Sequence, residues 1–384
     1  MREDPRTILF TAFEPSGDDH AAAVIAAVKR DHPEADIRAW GGPKMEAAGA
    51  ELIARTGDDA VMGVPGLAKI REHKRINADI RRWIERNPVA VHVPVDSPAA
   101  NFPVCAITKH AGATVIHLVA PQLWAWGPWR IRKLRRLTDH VLCVLPFEQD
   151  WFRDRGVRAT FVGHPLFDHI PGDAELDSEI EGWRDGAPRV ALMPGSRPSE
   201  MRANFGLLLS AYNRLAREHP GMAGVVAATR PEVGPVLKQL ARDAKQEWPD
   251  SLDLKFGVTD AAVRWCDLAM VVSGTVTLQI ARQRKPMVIV YKSSRVIWSL
   301  VARWVIRTPL FTLPNLIAGR EIVPELVPHF TGADPIADRV VAILEDPMAA
   351  EGMRRDLGAI ADDFEDHHAA DEAAGIIAQA AGIV

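Results

Sequence analysis

Short apolar runs alternate with amphipathic stretches along most of this chain. In the first half the runs are Thr7–Ala12, Val89–Val95, Thr114–Val119, His140–Leu145 and Thr160–Val162. Bounded by Gly, Pro and Asp, such runs predict buried strands. Helical periodicity lies between them, including the long amphipathic run Leu67–Arg86. The second half repeats the alternation with Val190–Met193, Gly224–Ala228, Leu252–Phe256, Leu268–Val272 and Met287–Tyr291. From Pro335 the pattern is helical and ends in an Ala-rich tail. Alternation of this kind predicts an α/β fold, with parallel sheets covered by helices on both faces. A polar stretch with Pro and Gly, about Asp168 to Pro188, interrupts the pattern and reads as a linker. The expected organisation is a domain over 1–167, the linker 168–188, a second domain over 189–345 and a helical tail over 346–384. Two doubly wound, Rossmann-like domains in tandem offer a cleft facing the carboxyl ends of their strands.

Composition narrows the picture without changing it. A length of 384 residues suits two domains, and 47% hydrophobic with 25% charged residues is ordinary for a globular protein. The net charge of −4 argues against a dedicated nucleic-acid binder. Cys105, Cys143 and Cys266 stand in apolar runs without metal-ligand spacing and read as buried free thiols of a reducing compartment. The opening residues Met1–Pro5 carry acids and do not read as a secretory signal, and no uncharged apolar stretch is long enough to span a bilayer. The expectation is a cytoplasmic protein.

Candidate chemistry gathers where strands end. Pro194-Gly195-Ser196-Arg197-Pro198-Ser199-Glu200 follows a buried run and opens a helical pattern, with Ser199 a candidate N-cap. Strand, glycine turn and helix start direct several backbone N–H groups at one spot, and Arg197 adds a guanidinium that grips phosphate. Ser273-Gly274-Thr275-Val276-Thr277 repeats this physics after Leu268–Val272. Two such turns suit a ligand with two phosphates, although two ordinary β–α turns would read the same way. Neither is a Walker A loop or a dinucleotide fingerprint. Asp96-Ser97-Pro98 places a carboxylate just past a strand, either as a general base or as a helix N-cap. Glu14-Pro-Ser16-Gly17-Asp18 is either a ligand loop or a capping turn, and His164 reads as a packed hinge residue. No Asp-x-Asp pair occurs, so no metal is expected, and neutralising a departing diphosphate falls to Arg197 and helix N-termini. The acidic and His-containing run Asp362–His368 reads as a solvated helix face. Together these features fit a GT-B-type glycosyltransferase or a related epimerase.

Two stretches depart from a plain soluble enzyme. Trp124-Ala-Trp126-Gly-Pro-Trp129 precedes Arg130, Arg132, Lys133, Arg135 and Arg136, and Val296–Arg307 mixes Trp298, Arg303, Trp304 and Arg307 into an apolar run. Trp with Arg and Lys is the composition of a membrane-interface helix, and equally of a core helix with snorkelling arginines.

An ordered series of motifs carries a resemblance. It runs through Glu14-x-Ser16-Gly17-Asp18, Gly41-Gly42-Pro43-x-Met45-x-x-x-Gly49, Val61-Met62-Gly63 and Asp96-Ser97-Pro98. It continues with Pro121-x-x-Trp124-Ala125-Trp126, Leu145-Pro146-Phe147-Glu148 and Phe161-Val162-Gly163-His164-Pro165-Leu166. Pro194-Gly195-Ser196-Arg197-x-x-Glu200, Ser273-Gly274-Thr275-x-Thr277-Leu278, Leu313-Pro314-Asn315 and Pro324-Glu325-Leu326 complete it. The chain resembles the lipid-A-disaccharide synthase family from about Ile8 to Phe330. That resemblance implies transfer of 2,3-diacylglucosamine from its UDP derivative to 2,3-diacylglucosamine 1-phosphate. It makes Asp96 the base for the acceptor hydroxyl and Arg197 the partner of the diphosphate. The implied UDP-sugar contacts are Gly195, Ser196, Arg197, Glu200, Ser273, Gly274, Thr275 and Gln279, and the implied sugar or acceptor contacts are Glu14, Ser16, Gly17, Asn315 and Glu325. It further implies no cofactor and a peripheral site at the inner face of the cytoplasmic membrane, with monomer and homodimer both open.

Departures from the family pattern are Phe13 and Pro15 for small residues, Asp19 for an apolar one, Gly66 for Glu, Ala99-Ala100 for Asp-Phe, Gln279 for Glu and Pro328 for Gln. They leave as alternatives a divergent paralogue with another lipid or sugar acceptor, a soluble UDP-sugar epimerase, and a non-catalytic binding protein of the same fold.

Overall fold

Every strand of both sheets pairs parallel to its neighbours. The computed structural model describes residues 6–56, 67–125, 127–295, 298 and 308–384, with the side chains of 67–72 outside that set. The chain divides into two units, one of residues up to Asp168 together with Asp366–Val384, the other His169–Glu365.

In the first unit the strands are β1 (Ile8–Thr11), β2 (Ile37–Gly41), β3 (Glu51–Arg55), β4 (Val91–Pro94), β5 (Thr114–Leu118), β6 (His140–Cys143) and β7 (Ala159–Phe161). Their order is β3-β2-β1-β4-β5-β6-β7. The helices between them are α1 (Pro15–Asp31), α2 (Pro43–Ala47), α3 (Leu67–Ile84), α4 (Pro98–His110), α5 (Ile131–Leu137) and α6 (Pro146–Arg153). Strand β1 shows why its apolar run is unbroken. Ile8 and Phe10 enter the core cluster on one face, while Leu9 enters the cluster on the other. A strand covered on both faces has no solvent side to alternate with.

The second unit has α7 (Asp173–Glu179), β8 (Arg189–Met193), α8 (Pro198–Glu218), β9 (Ala223–Ala228), α9 (Val233–Asp243), β10 (Leu252–Phe256), α10 (Thr259–Trp265) and β11 (Leu268–Val272). It continues with α11 (Val276–Arg282), β12 (Met287–Lys292), α12 (Leu313–Ala318), β13 (Glu325–His329), α13 (Asp334–Leu344) and α14 (Pro347–Asp362). Its strand order is β10-β9-β8-β11-β12-β13.

Three strands escaped the apolar-run criterion. The apolar run of β2 is broken by Arg38, and β3 and β13 are sheet edges. Glu51, Ala54 and Arg55 of β3 are exposed, so no apolar run marks it. β13 contains Pro328, which has no N–H for a ladder and is tolerated at an edge.

Of the stretch 168–188, expected as a linker, residues 169–188 are an ordered part of the second unit. They contain α7, whose Asp177 pairs with Arg264 of α10 at 2.9 Å, and Trp183 lies against Trp265 with ring centroids 5.9 Å apart. The tail is divided as well. α14 stays in the second unit, capped by Asp346, which accepts from Met348 and Ala349 N–H at 3.0 Å each. The last helix, α15 (Ala369–Ala381), belongs to the first unit. Its Ala373, Ala374, Ile377 and Ala381 complete the cluster that holds Val24, Ile25 and Val28 of α1. The Asp168 carboxylate satisfies the first orphan donors of α15, accepting from Ala369 and Ala370 N–H at 2.7 and 3.1 Å.

Asp18 makes a similar bracket at the other end. Its buried carboxylate accepts from the N–H groups of Gly42, Lys44 and Met45 at 3.0, 3.1 and 3.1 Å and so caps α2. A Cβ on Gly42 would lie 2.4 Å from Asp18 Oδ2, which explains the glycine there. One contact thus accounts for two of the ordered motifs. Asp18→Ala should lower the stability of the first unit by about 2–3 kcal/mol, and Ile377→Ala by about 2–5 kcal/mol. Hydrogen exchange resolved by segment should show protection lost in the first unit, α15 included, with the second unit unchanged.

Candidate functional site

In each sheet the order reverses direction beside the first strand, between β1 and β4 and between β8 and β11. Loops leaving the carboxyl ends of such a pair diverge and leave an open crevice, where ligands of α/β sheets bind. Most of the candidate residues lie on those loops or in the helices they open; Asn315 and Glu325 instead follow β12.

In the first unit, Ser97 Oγ donates to Glu14 Oε1 at 2.6 Å, joining the loop after β4 to the loop after β1. Ser16 sits half-buried in the first turn of α1. Gly17 is buried where a Cβ would come 3.2 Å from Ala12 Cβ, so its bareness lets α1 approach the sheet. Asp96 is not the N-cap of α4. That position belongs to Ser97, whose side chain makes no cap bond. Asp96 and Ser97 both have left-handed backbone, with φ of 49° and 31°, and Val119 after β5 has φ 61°. Such conformations are costly without glycine and persist where the surroundings over-determine them.

Sequence reading passed over the groups behind Asp96. His92 and His117 stand mid-strand and Asn101 one turn into α4, all with no exposure. Thr11 Oγ1 donates to Asn101 Oδ1 at 2.7 Å, so the 2.9 Å contact from His92 Nε2 to Thr11 is a donation by the ring. A polar residue inside an otherwise apolar strand run was the available signal. Glu148 is buried at the start of α6, accepting from Trp124 Nε1 at 3.0 Å and Leu145 N–H at 3.2 Å. Burial first, with the nearby Asp96 charge adding, pushes its carboxyl up to about 7.

Phe13 and Ala100, both departures from the family pattern, pack into the same apolar cluster.

In the second unit, β8 and β11 pair with Met193 opposite Val271, so the two phosphate-type turns leave side by side. Gly195 has φ 92°, and a Cβ there would lie 2.9 Å from Glu200 Oε2 and 3.6 Å from Val272 Cγ1. The N-cap of α8 is Arg197 rather than Ser199. Glu200 folds back, accepting from Arg197 N–H at 3.3 Å and from its Nη1 at 2.7 Å. The carboxylate therefore braces the turn and aims the guanidinium, which stays 55% exposed. Ser196, Gly274 and Thr275 are exposed, Ser273 and Gln279 half-buried, and Thr277 Oγ1 closes the second turn on Gly274 O at 2.7 Å. Tyr291, another residue the sequence did not flag, lies within the electrostatic reach of Glu200 and Arg197, though burial is the main cause that raises its pKa.

Asn315 and Glu325 are reassigned. Asn315 is fully buried, donates to Val323 O and Glu325 Oε2, and accepts from Ile322 and Val323 N–H. Its amide has no donor or acceptor left for a sugar. Glu325 accepts from Phe311 N–H, Thr312 N–H and Thr312 Oγ1 as well. The pair shapes the loop around α12. Val61-Met62-Gly63, Gly66, Trp126 and most of the Val296–Arg307 stretch lie outside the described residues.

Residues 8–370 match the family model described as lipid-A-disaccharide synthetase. The chain is 36% identical over 376 residues to the lipid-A-disaccharide synthase of Burkholderia pseudomallei (strain K96243), covering 95% of this chain and 92% of that one. Among solved structures it resembles a putative UDP-N-acetylglucosamine 2-epimerase from Listeria monocytogenes, with TM-score 0.62, 13% identity and coverage of 98% and 95%. It also resembles the glycotransferase of kitacinnamycin, with TM-score 0.59, 17% identity and coverage of 98% and 99%. The structural neighbours establish the shared fold, GT-B.

The buried histidines of the first unit set its acid limit. Burial pushes His92 down to about 3, His117 to about 4 and His164 to about 3, from 6.5. Each is neutral in the folded chain, so its contribution is complete above pH 6.5 and is lost as pH falls towards those values. Glu148 acts oppositely, since its raised pKa favours the folded state as pH falls from about 7 to 4.5. Burial lowers His140 to about 4 and lowers His20 as well, so histidines outnumber Glu148 and the first unit loses stability as pH falls below 6.5. Hydrogen exchange between pH 7 and pH 5 should show residues 6–168 losing protection before 169–365.

Proposed function

The chain belongs to the lipid-A-disaccharide synthetase family, glycosyltransferases of lipid A disaccharide synthesis, and from that premise we propose its substrates and the residues that act on them. The donor is the UDP derivative of 2,3-diacylglucosamine, the acceptor 2,3-diacylglucosamine 1-phosphate. The acceptor hydroxyl attacks the anomeric carbon as the bond to the diphosphate breaks, so the configuration inverts. Asp96 takes the hydroxyl proton. The Arg197 guanidinium and the N–H groups of Gly195 and Ser196 receive the charge that builds on departing UDP, with Ser273, Gly274 and Thr275 beside them.

The observation that carries this reading is the pair of left-handed residues Asp96 and Ser97 at the β1/β4 reversal, because backbone strain of that kind gathers at functional sites. An epimerase is not favoured, since the likeness to those enzymes, at 13% identity, extends to the fold alone.

Peripheral contact with an anionic membrane has its own support in α5. Leu134 and Leu137 are buried, Arg132, Lys133, Arg135 and Arg136 face outward, and Trp129 is 64% exposed. Basic side chains near such a surface contribute about 1 kcal/mol each.

Asp96→Asn should lower kcat about 10²–10⁴-fold and Arg197→Ala about 10²–10³-fold, read as acceptor-dependent UDP release in detergent with de-acylated donor as control. A near-native rate for Asp96→Asn removes the base assignment. In sedimentation with anionic vesicles, the native chain should pellet and a Trp129→Ser, Arg135→Glu, Arg136→Glu variant should stay in the supernatant. Equal pelleting would place the membrane contact elsewhere.

A further inference from the structure

Three buried groups converge on the backbone of one turn. The Asp96 N–H donates to Leu118 O at 3.0 Å. Its carbonyl accepts twice, from Asn101 Nδ2 at 3.2 Å and from His117 Nε2 at 3.1 Å. Asn101 Nδ2 also holds the preceding carbonyl, Val95 O, at 2.9 Å. The peptide groups on both sides of Asp96 are thereby pinned, which is what a left-handed aspartate requires to persist.

The donors are themselves fixed in chemical sense. Asn101 Oδ1 accepts the Thr11 hydroxyl, so its amide nitrogen must face the two carbonyls. A carbonyl only accepts, so His117 carries its proton on Nε2. Its Nδ1 is then a buried acceptor, and it has no partner among the described residues. An unpaired buried acceptor is a liability that an apolar side chain would avoid. What the imidazole contributes at this position is the Nε2–H bond to Asp96.

We propose that Asn101 and His117 are positioning residues for the reaction, holding the Asp96 carbonyl jointly so that the left-handed turn presents the Asp96 carboxylate beyond the end of β4. This rests on the reading of Asp96 as base. Neither residue touches substrate; both act through Asp96.

The test compares His117→Leu, His117→Gln and Asn101→Ala in the native and Asp96→Asn backgrounds, measuring kcat, KM for each substrate and the thermal midpoint. His117→Leu and Asn101→Ala should each lower kcat by about 10- to 100-fold, with both KM values little changed. His117→Gln restores an N–H donor and should recover most of the rate. The midpoint of His117→Leu should not fall, because no acceptor is left unpaired. With Asn at position 96, His117→Leu should have no further effect on the residual rate. Native kcat in His117→Leu and Asn101→Ala beside an inactive Asp96→Asn would overturn the positioning role and leave the base intact. Effects that multiply in the double variant, or a kcat loss that follows a fallen midpoint, would also overturn it. A near-native Asp96→Asn would instead remove the base reading on which the role depends.

Discussion

Parallel strand pairing is the constraint from which the rest follows. A parallel neighbour can be reached only by a crossover, and a doubly wound sheet must at one place send its crossovers in opposite directions. That place lies between β1 and β4 in one unit and between β8 and β11 in the other. The chemistry-bearing loops of each unit leave from those strands. Ser97 reaches Glu14 because β4 lies against β1, and Gly195 meets Val272 because β8 lies against β11.

The two units solve the problem of holding such loops differently. In the second, a short-range device suffices, with Glu200 reaching back three residues to Arg197 and the bare Gly195 making room for its carboxylate. Local bonding of this kind sets a turn without help from distant chain. In the first, the strained Asp96–Ser97 turn needs Thr11, His92, Asn101 and His117, brought from three strands and a helix. A satisfied polar network in a dry interior rigidifies, and it ties the site to the neutral state of its histidines. His92 and His117 thus link the geometry of the candidate base to pH, since burial lowers the pKa of both.

Several motifs turned out to be structural partners of each other. Asp18 belongs with the Gly41–Met45 segment, Trp124 with Glu148, and Asn315 with Glu325. An ordered string of motifs therefore mixes residues whose polar groups stay exposed with residues that shape the loops. Sequence spacing does not separate the two, because both kinds cluster at strand ends. Bond saturation separates them: the Asn315 amide is fully used, whereas most of the Arg197 guanidinium remains exposed.

The linear chain by itself determined the α/β class, ten of the strands, the two glycine turns, and Asp96 and Arg197 as the groups to consider. Those follow from hydrophobic period and local turn chemistry, which act over a few residues. Only the tertiary structure decided that β2, β3 and β13 complete the sheets, since Arg38 breaks the run of β2 and the other two lie at edges without an apolar run. It alone placed α15 in the first unit, through the Asp168 cap, 202 residues from Ala370, and an Ala-rich face laid on the still more distant α1. It alone brought His117 to the Asp96 carbonyl that Asn101 also holds, and His92 to the Thr11 hydroxyl. The His117 and His92 bonds cross between strands, and nothing in a residue's own neighbourhood along the chain encodes which distant group it will meet.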